Sequence, residues 1–153
     1  PTPTATPAPP EPTPVPFVAT PAPTPAPVIK KTPNRLMRPA PLVRMRGVLS
    51  STGALITSLT VRAPKAAKLT VTCRGSSSCP RTRWSPKTRK RTTTRMSAFE
   101  RNLRSGTVLT VTLTRSGYVG KRTVFKIRRG KAPLRSDACL SPVTGKVQKC
   151  PAG

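Results

Sequence analysis

Fifteen residues, Arg81 to Arg95, read RTRWSPKTRKRTTTR and hold the densest chemistry in the chain. Seven of them are cationic (Arg81, Arg83, Lys87, Arg89, Lys90, Arg91 and Arg95), and Trp84 sits inside the run. A guanidinium group can grip phosphate or carboxylate in two-pronged fashion, and an ammonium group adds point charge. An indole ring stacks on a base, a sugar ring or a lipid headgroup zone. The run is therefore a candidate polyanion-binding loop. It also fits a solvated loop whose Trp folds back over the edge of a β-domain, because a charge run is most often a solvated face.

A second group of cations is spread along the chain. Arg44, Arg46, Arg62, Arg74, Lys126 and Arg128 all alternate with apolar residues. On strands, that alternation turns them to solvent, where they also discourage edge-to-edge pairing. The whole chain carries a net charge of +26, and its only acids are Glu11, Glu100 and Asp137. Three acids cannot neutralise 29 cations, so the field favours any nearby polyanion. An arginine bias of a GC-rich genome would account for part of this charge without selection for it.

The expected partner is an anionic polymer or glycan. A protein partner is the alternative, in which the chain is a structural, assembly or appendage subunit. Nucleic acid is a third, since phosphate neutralisation brings binding in vitro with steep salt dependence. No cofactor is implied.

Catalysis is disfavoured by what is missing. The chain has no His, the commonest general base. Glu100 and Asp137 are the only acids beyond Glu11, too few for a facing carboxylate pair with other duties to fill. No phosphate-cradling glycine motif occurs, and no pattern singles out a Ser–Lys pair. The expectation is a non-enzyme with no catalytic residues.

Four cysteines, Cys73, Cys79, Cys139 and Cys150, allow three pairings. Neighbour pairing, Cys73–Cys79 and Cys139–Cys150, closes two short loops. Zinc is the rival reading, but neither pair has C-x2-C spacing and no His is present to complete a site. Disulfides imply an oxidising compartment, hence an extracellular or cell-surface location. No run of 18 apolar residues exists, so no transmembrane segment is expected. The start at Pro1, in the middle of a linker, suggests that a signal peptide, anchor or upstream domain belongs before it.

The elements that must hold these residues follow from periodicity. Residues 1–28 contain 12 of the 21 prolines and one charge, and are expected to be a disordered, polyproline-II-like stalk. The linker is taken as 1–38, the folded basic domain as 39–133 and a Cys-containing tail as 134–153. Alternation predicts strands over Leu42–Leu49, Ala54–Arg62, Ala67–Arg74, Arg89–Ser97, Thr107–Arg115 and Lys121–Arg129. Leu55, Leu59 and Val61 are placed on one face of the second. Gly53, Pro64–Lys65, Gly106 and Ser116–Gly117 punctuate them as turns. Ser97-Ala98-Phe99-Glu100 matches a helix capping box, with Phe99 and Leu103 facing the core. Short strands at this spacing indicate an all-β fold, a small antiparallel sandwich or barrel.

The stretches FERNLRSGT (Phe99–Thr107), LTV (Leu109–Val111), GYVGK (Gly117–Lys121) and FKIRRGKAP (Phe125–Pro133) resemble a C-terminal module of secreted or surface proteins of high-GC Gram-positive bacteria. The resemblance covers about Pro41 to Pro151. It implies an immunoglobulin-like β-sandwich outside the cytoplasm, ending in a Cys-containing tail. It brings no catalytic or binding residues with it.

Overall fold

A computed structural model describes residues 1–5, 8–10, 35–86 and 92–151. Residues 1–5 and 8–10 are exposed and carry no regular element; the rest of the stalk up to residue 34 lies outside the described residues. Beyond the stalk the chain is all-β. Its strands are β1 (Arg35–Leu36), β2 (Leu42–Ser50), β3 (Gly53–Arg62), β4 (Lys68–Arg74), β5 (Arg83–Trp84), β6 (Thr93–Arg95), β7 (Asn102–Arg104), β8 (Val108–Arg115), β9 (Tyr118–Arg128), β10 (Lys131–Leu140) and β11 (Val147–Gln148).

They form two sheets. The larger runs β11-β10-β9-β8-β4-β5, with β1 added against β9; the smaller runs β2-β3-β6, with β7 also on β3. Every pairing is antiparallel except β1 on β9. The sheets face each other across one apolar core, which makes a small β-sandwich. Strict alternation builds that core: Leu69, Val71 and Cys73 from β4 and Leu109, Val111 and Leu113 from β8 are fully buried, while the Thr residues between them are half-buried on the opposite face.

Several expected boundaries move. Arg35 and Leu36, read as linker, pair with Tyr118 and Val119, and Met37 is buried in the core. An apolar Leu-Met pair at the end of the stalk is enough to recruit those residues to the sheet. Strand β10 passes through Pro133, so residues 134–140, read as tail, are the neighbour of β9, with Leu140 opposite Gly120. Its sequence, LRSDACL, shows no apolar alternation because much of the strand lies at the open side of the sandwich, beside β2. Of the strand expected over Arg89–Ser97, only Thr93–Arg95 is a strand among the described residues.

Strand β3 holds the main change of register. Arg46 pairs with Ser58, but Gly47 pairs with Ile56, so Thr57 is an extra residue, a β-bulge. The bulge keeps Ala54 and Ile56 buried before it and Leu59 and Val61 buried after it. Leu55, expected inside, is turned out and exposed. Gly47 opposes the bulge; a Cβ there would collide with the Leu55 carbonyl.

Both expected disulfides are present, Cys73–Cys79 and Cys139–Cys150. The first closes a loop whose Ser78 hydroxyl accepts a hydrogen bond from the Arg104 N–H and contacts the buried Thr107 hydroxyl. This seats the loop against the turn before β8. All four sulfurs are used, leaving no thiolate for a metal.

Candidate functional site

The basic run Arg81–Arg95 starts on one sheet and ends on the other. Its start, β5, pairs with β4 of the larger sheet, Arg83 opposite Thr72 and Trp84 opposite Val71. Its end, β6, pairs with β3 of the smaller sheet, Arg95 opposite Thr60 and Thr93 opposite Arg62. Lys87, Arg89, Lys90 and Arg91 lie outside the described residues. The single patch expected from sequence is therefore divided: Arg81 and Arg83 are exposed at the larger sheet, and Arg95 lies on the smaller one.

Trp84 takes the inward parity of Val71, its rung partner. Its ring is partly buried against the core and meets Phe99 edge-on, centroids 6.4 Å apart. That is the folded-back arrangement, and it closes one side of the sandwich.

Arg95 is committed internally. Its guanidinium makes a bidentate pair with Glu100, Nε to Oε1 at 2.8 Å and Nη2 to Oε2 at 2.7 Å. Glu100 Oε1 also accepts the backbone N–H of Leu59 at 3.1 Å. The Glu100 side chain is only 9% exposed, against 65% for Arg95. The hydrogen bonds from Arg95 hold the Glu100 carboxyl below its ordinary range; burial opposes this, and the Leu59 N–H supports it. The capping box does not form. Residues Ser97–Phe99 make a single 3-10 turn with no side-chain cap, because the carboxylate is already occupied by Arg95 and β3. Phe99 and Leu103 are nonetheless both fully buried.

Asp137 is engaged in the same manner. It accepts from the Thr123 hydroxyl at 2.6 Å and from Arg135 Nε at 2.8 Å, with Lys121 Nζ at 3.7 Å. Burial pushes its carboxyl up, but the bonds from Arg135 and Thr123 and the charges of Lys121 and Arg135 prevail, and the group sits below its ordinary range.

The two acids of the sandwich thus pair with Arg95, Lys121 and Arg135. The free cations are elsewhere. On the outer face of the smaller sheet, Arg44 and Arg62 border a cleft of about 380 Å³ with Leu42, Thr60, Thr92 and Thr93. Register explains the grouping: Arg44 lies opposite Thr60, and Arg62 lies between Leu42 and Thr93. Two exposed guanidinium groups and three hydroxyls form a donor-rich surface with no carboxylate in its lining. Oxyanions are the chemistry it suits: the guanidiniums supply charge and forked donors, the hydroxyls orientable ones.

Arg44, Arg46, Arg62, Arg74 and Lys126 are exposed as their alternation requires. Arg128 is half-buried and folds onto the Ala132 carbonyl in the β9–β10 hairpin, at 3.0 and 2.7 Å. Thr60, Thr92 and Thr93 were not singled out in the sequence, since a hydroxyl beside a basic run carries no signal until register is known.

The chain matches no protein-family model, no curated protein and no solved structure. Among the described residues no helix is long and apolar enough to cross a membrane.

Proposed function

We propose that this domain is a non-catalytic module acting outside the cytoplasm, at the cell surface or cell wall, where it binds anionic polymers or glycans. The observation that carries the reading is the Arg44–Arg62 cleft with its hydroxyl lining. It lies at the point where the basic run returns to the fold at Thr92, so Lys87, Arg89, Lys90 and Arg91 immediately precede one of its walls in sequence. The two disulfides support an oxidising compartment. An immunoglobulin-like form of the sandwich and a surface location are part of this proposal and rest on the resemblance in the sequence.

The test is binding of labelled polyphosphate, a carboxylated glycan and neutral dextran near 0.15 M salt, where the Debye length is about 8 Å. Both polyanions should bind and dextran should not. Replacing Arg44 and Arg62 together by Gln should weaken binding by about tenfold and flatten its salt dependence by roughly one to two counterions. Equal binding of neutral dextran, or an unchanged slope in the double variant, would overturn the reading. Retained preference for one DNA sequence at about 0.2 M salt would replace it with nucleic-acid recognition.

A second reading has one observation in its favour. Val48, Leu49 and Leu55 are exposed at 61%, 49% and 44% at one end of the β2–β3 hairpin. Val48 lies opposite Leu55, so an apolar spot continues across the two strands, and β2 is a sheet edge. This would suit an assembly contact with protein. A regular oligomer in light scattering that Val48→Lys and Leu55→Lys dissolve would favour it.

A further inference from the structure

The outer face of the larger sheet carries a second cationic array, on the opposite side of the sandwich from the Arg44–Arg62 cleft. Its geometry follows from register. One rung runs Arg83, Thr72, Thr110, Val124 and Ser136 across β5, β4, β8, β9 and β10. The next rung on one side runs Arg74, Val108, Lys126 and Leu134, and on the other side Thr70, Thr112, Arg122 and Ala138. Arg74, Arg83, Arg122 and Lys126 are exposed, while the four Thr between them are half-buried. The face is a low field of hydroxyls with long cations standing around it.

Spacing follows from sheet geometry. Strands lie about 4.8 Å apart, so Arg74 and Lys126, two strands apart on one rung, have backbones separated by roughly 10 Å. Arg83 and Arg122 lie three strands apart, at about 14 Å or a little more. No acid intrudes. Asp137 is the rung partner of the buried Thr123, so it belongs to the other face of its strand, and Glu100 is bonded to the Leu59 N–H of the smaller sheet. None of the four cations is in an ion pair among the described residues.

Resting on the polyanion-binding reading, we infer that the domain is bivalent: each outer face holds its own anionic chain, and the domain bridges the two. A sandwich suits this purpose. Its two outer faces point apart, separated by a core about 10 Å thick plus the sheets themselves. The basic run strengthens the case, because it leaves one face at Arg83 and arrives at the other at Thr93. A chain held on one face leaves the other free for a second, so bridging is governed by the opposed geometry and not by net charge alone.

The experiment uses the full chain and a mixture of donor-labelled and acceptor-labelled polyphosphate, with energy transfer between chains as the bridging signal. Single-chain affinity is measured in parallel by anisotropy. Three charge-matched variants are compared. One removes three of the four cations of the larger-sheet array (Arg74→Gln, Arg83→Gln, Lys126→Gln). One removes the smaller-sheet array (Arg44→Gln, Arg46→Gln, Arg62→Gln). The control removes three exposed lysines outside both arrays (Lys65→Gln, Lys146→Gln, Lys149→Gln).

Wild type should bridge at low protein and lose the signal at excess protein, when each chain is separately saturated. Each face variant should still bind single chains, weakened about tenfold or less, yet lose most of the bridging signal. The control should bridge like wild type. Equal loss in all three variants would show that net charge alone bridges the polymer and would overturn bivalency. So would full bridging by either face variant, or a dimer of the free protein in light scattering that accounts for the bridge. Absence of any polyphosphate binding by wild type would instead overturn the underlying polyanion reading, so the two failures are distinct.

Discussion

Arg135 of β10 donates a hydrogen bond from Nη1 to the backbone carbonyl of Val43 in β2 at 3.0 Å, and so ties the two sheets together across the open side of the sandwich. The same guanidinium lies over the Phe125 ring and pairs with Asp137. Lys121 acts in parallel, donating from Nζ to the Pro41 carbonyl at 3.2 Å. Trp84 and Phe99 close the other side with apolar contact.

Arg135→Ala should therefore destabilise the fold by about 1–2 kcal/mol, since it removes the bond to Val43 and leaves Asp137 with fewer donors. Arg129→Ala, at an exposed hairpin position, should change stability by less than about 0.5 kcal/mol. Urea unfolding of both variants checks the contrast; equal midpoints would mean that the two sheets do not depend on the Arg135 clip.

Acid should unfold the domain through Glu100 and Asp137. Both carboxyls lie below their ordinary range in the folded state. Each group's contribution is thus fully present above the unfolded value, near 4, and is lost as pH falls through the lower folded value. Stability measured by urea midpoint should be flat from neutral pH to about 5 and then decline. Glu100→Gln with Asp137→Asn should be less stable at neutral pH and show a shallower acid decline. A decline as steep as in wild type would assign acid unfolding to general charge repulsion instead.

Arg95 separates stability from binding. Because Glu100 already occupies it, Arg95→Gln should cost stability yet reduce polyphosphate affinity less than Arg62→Gln does. Melting temperature and anisotropy on the same two proteins test this. A larger affinity loss at Arg95 would mean that the ion pair opens when the polymer binds.

The disulfides contribute through the unfolded chain. With sequence separations of 6 and 11, loop-closure entropy assigns about 2 kcal/mol to Cys73–Cys79 and nearer 3 kcal/mol to Cys139–Cys150. Replacing each pair by Ser should lower stability by those amounts or more at Cys73, which is fully buried in the core. Peptide mapping without reductant should recover the links 73–79 and 139–150; crossed links would contradict the fold itself.

How far these features could be read in advance depended on whether alternation was intact. Strands β4 and β8 have unbroken period-two patterns, and there Leu69, Val71, Leu109, Val111 and Leu113 lie where alternation places them. The disulfides followed from short spacing. Strand β10 carries no sequence signal because Arg135 and Asp137 occupy core-side parity at the open flank, where polar groups can reach water and each other. The basic run looks like one patch in the sequence because sequence distance hides a change of sheet: Arg83 and Arg95 are only twelve positions apart but belong to different layers. Trp84 resembled a stacking residue for the same reason, since its inward direction is set by pairing with Val71.

The bulge at Thr57 gives the sharpest test of where local pattern yields to register. By alternation from Leu59 and Val61, Leu55 belongs to the core and Ile56 to solvent. The extra residue reverses this: Ile56 is 2% exposed and Leu55 is 44% exposed. Leu55→Lys should then change stability by no more than about 0.5 kcal/mol, as an exposed site does. Ile56→Ala should cost about 2–5 kcal/mol, by lost burial and the cavity left among the core residues. Deleting Thr57 should be milder than Ile56→Ala, because it removes only the unpaired residue and leaves Ile56 and Ser58 adjacent opposite Gly47 and Arg46, with Ala54, Ile56, Leu59 and Val61 still on the buried face. Thermal unfolding of the three variants decides it. A severe Leu55→Lys beside a mild Ile56→Ala would restore unbroken alternation and remove the bulge from the fold.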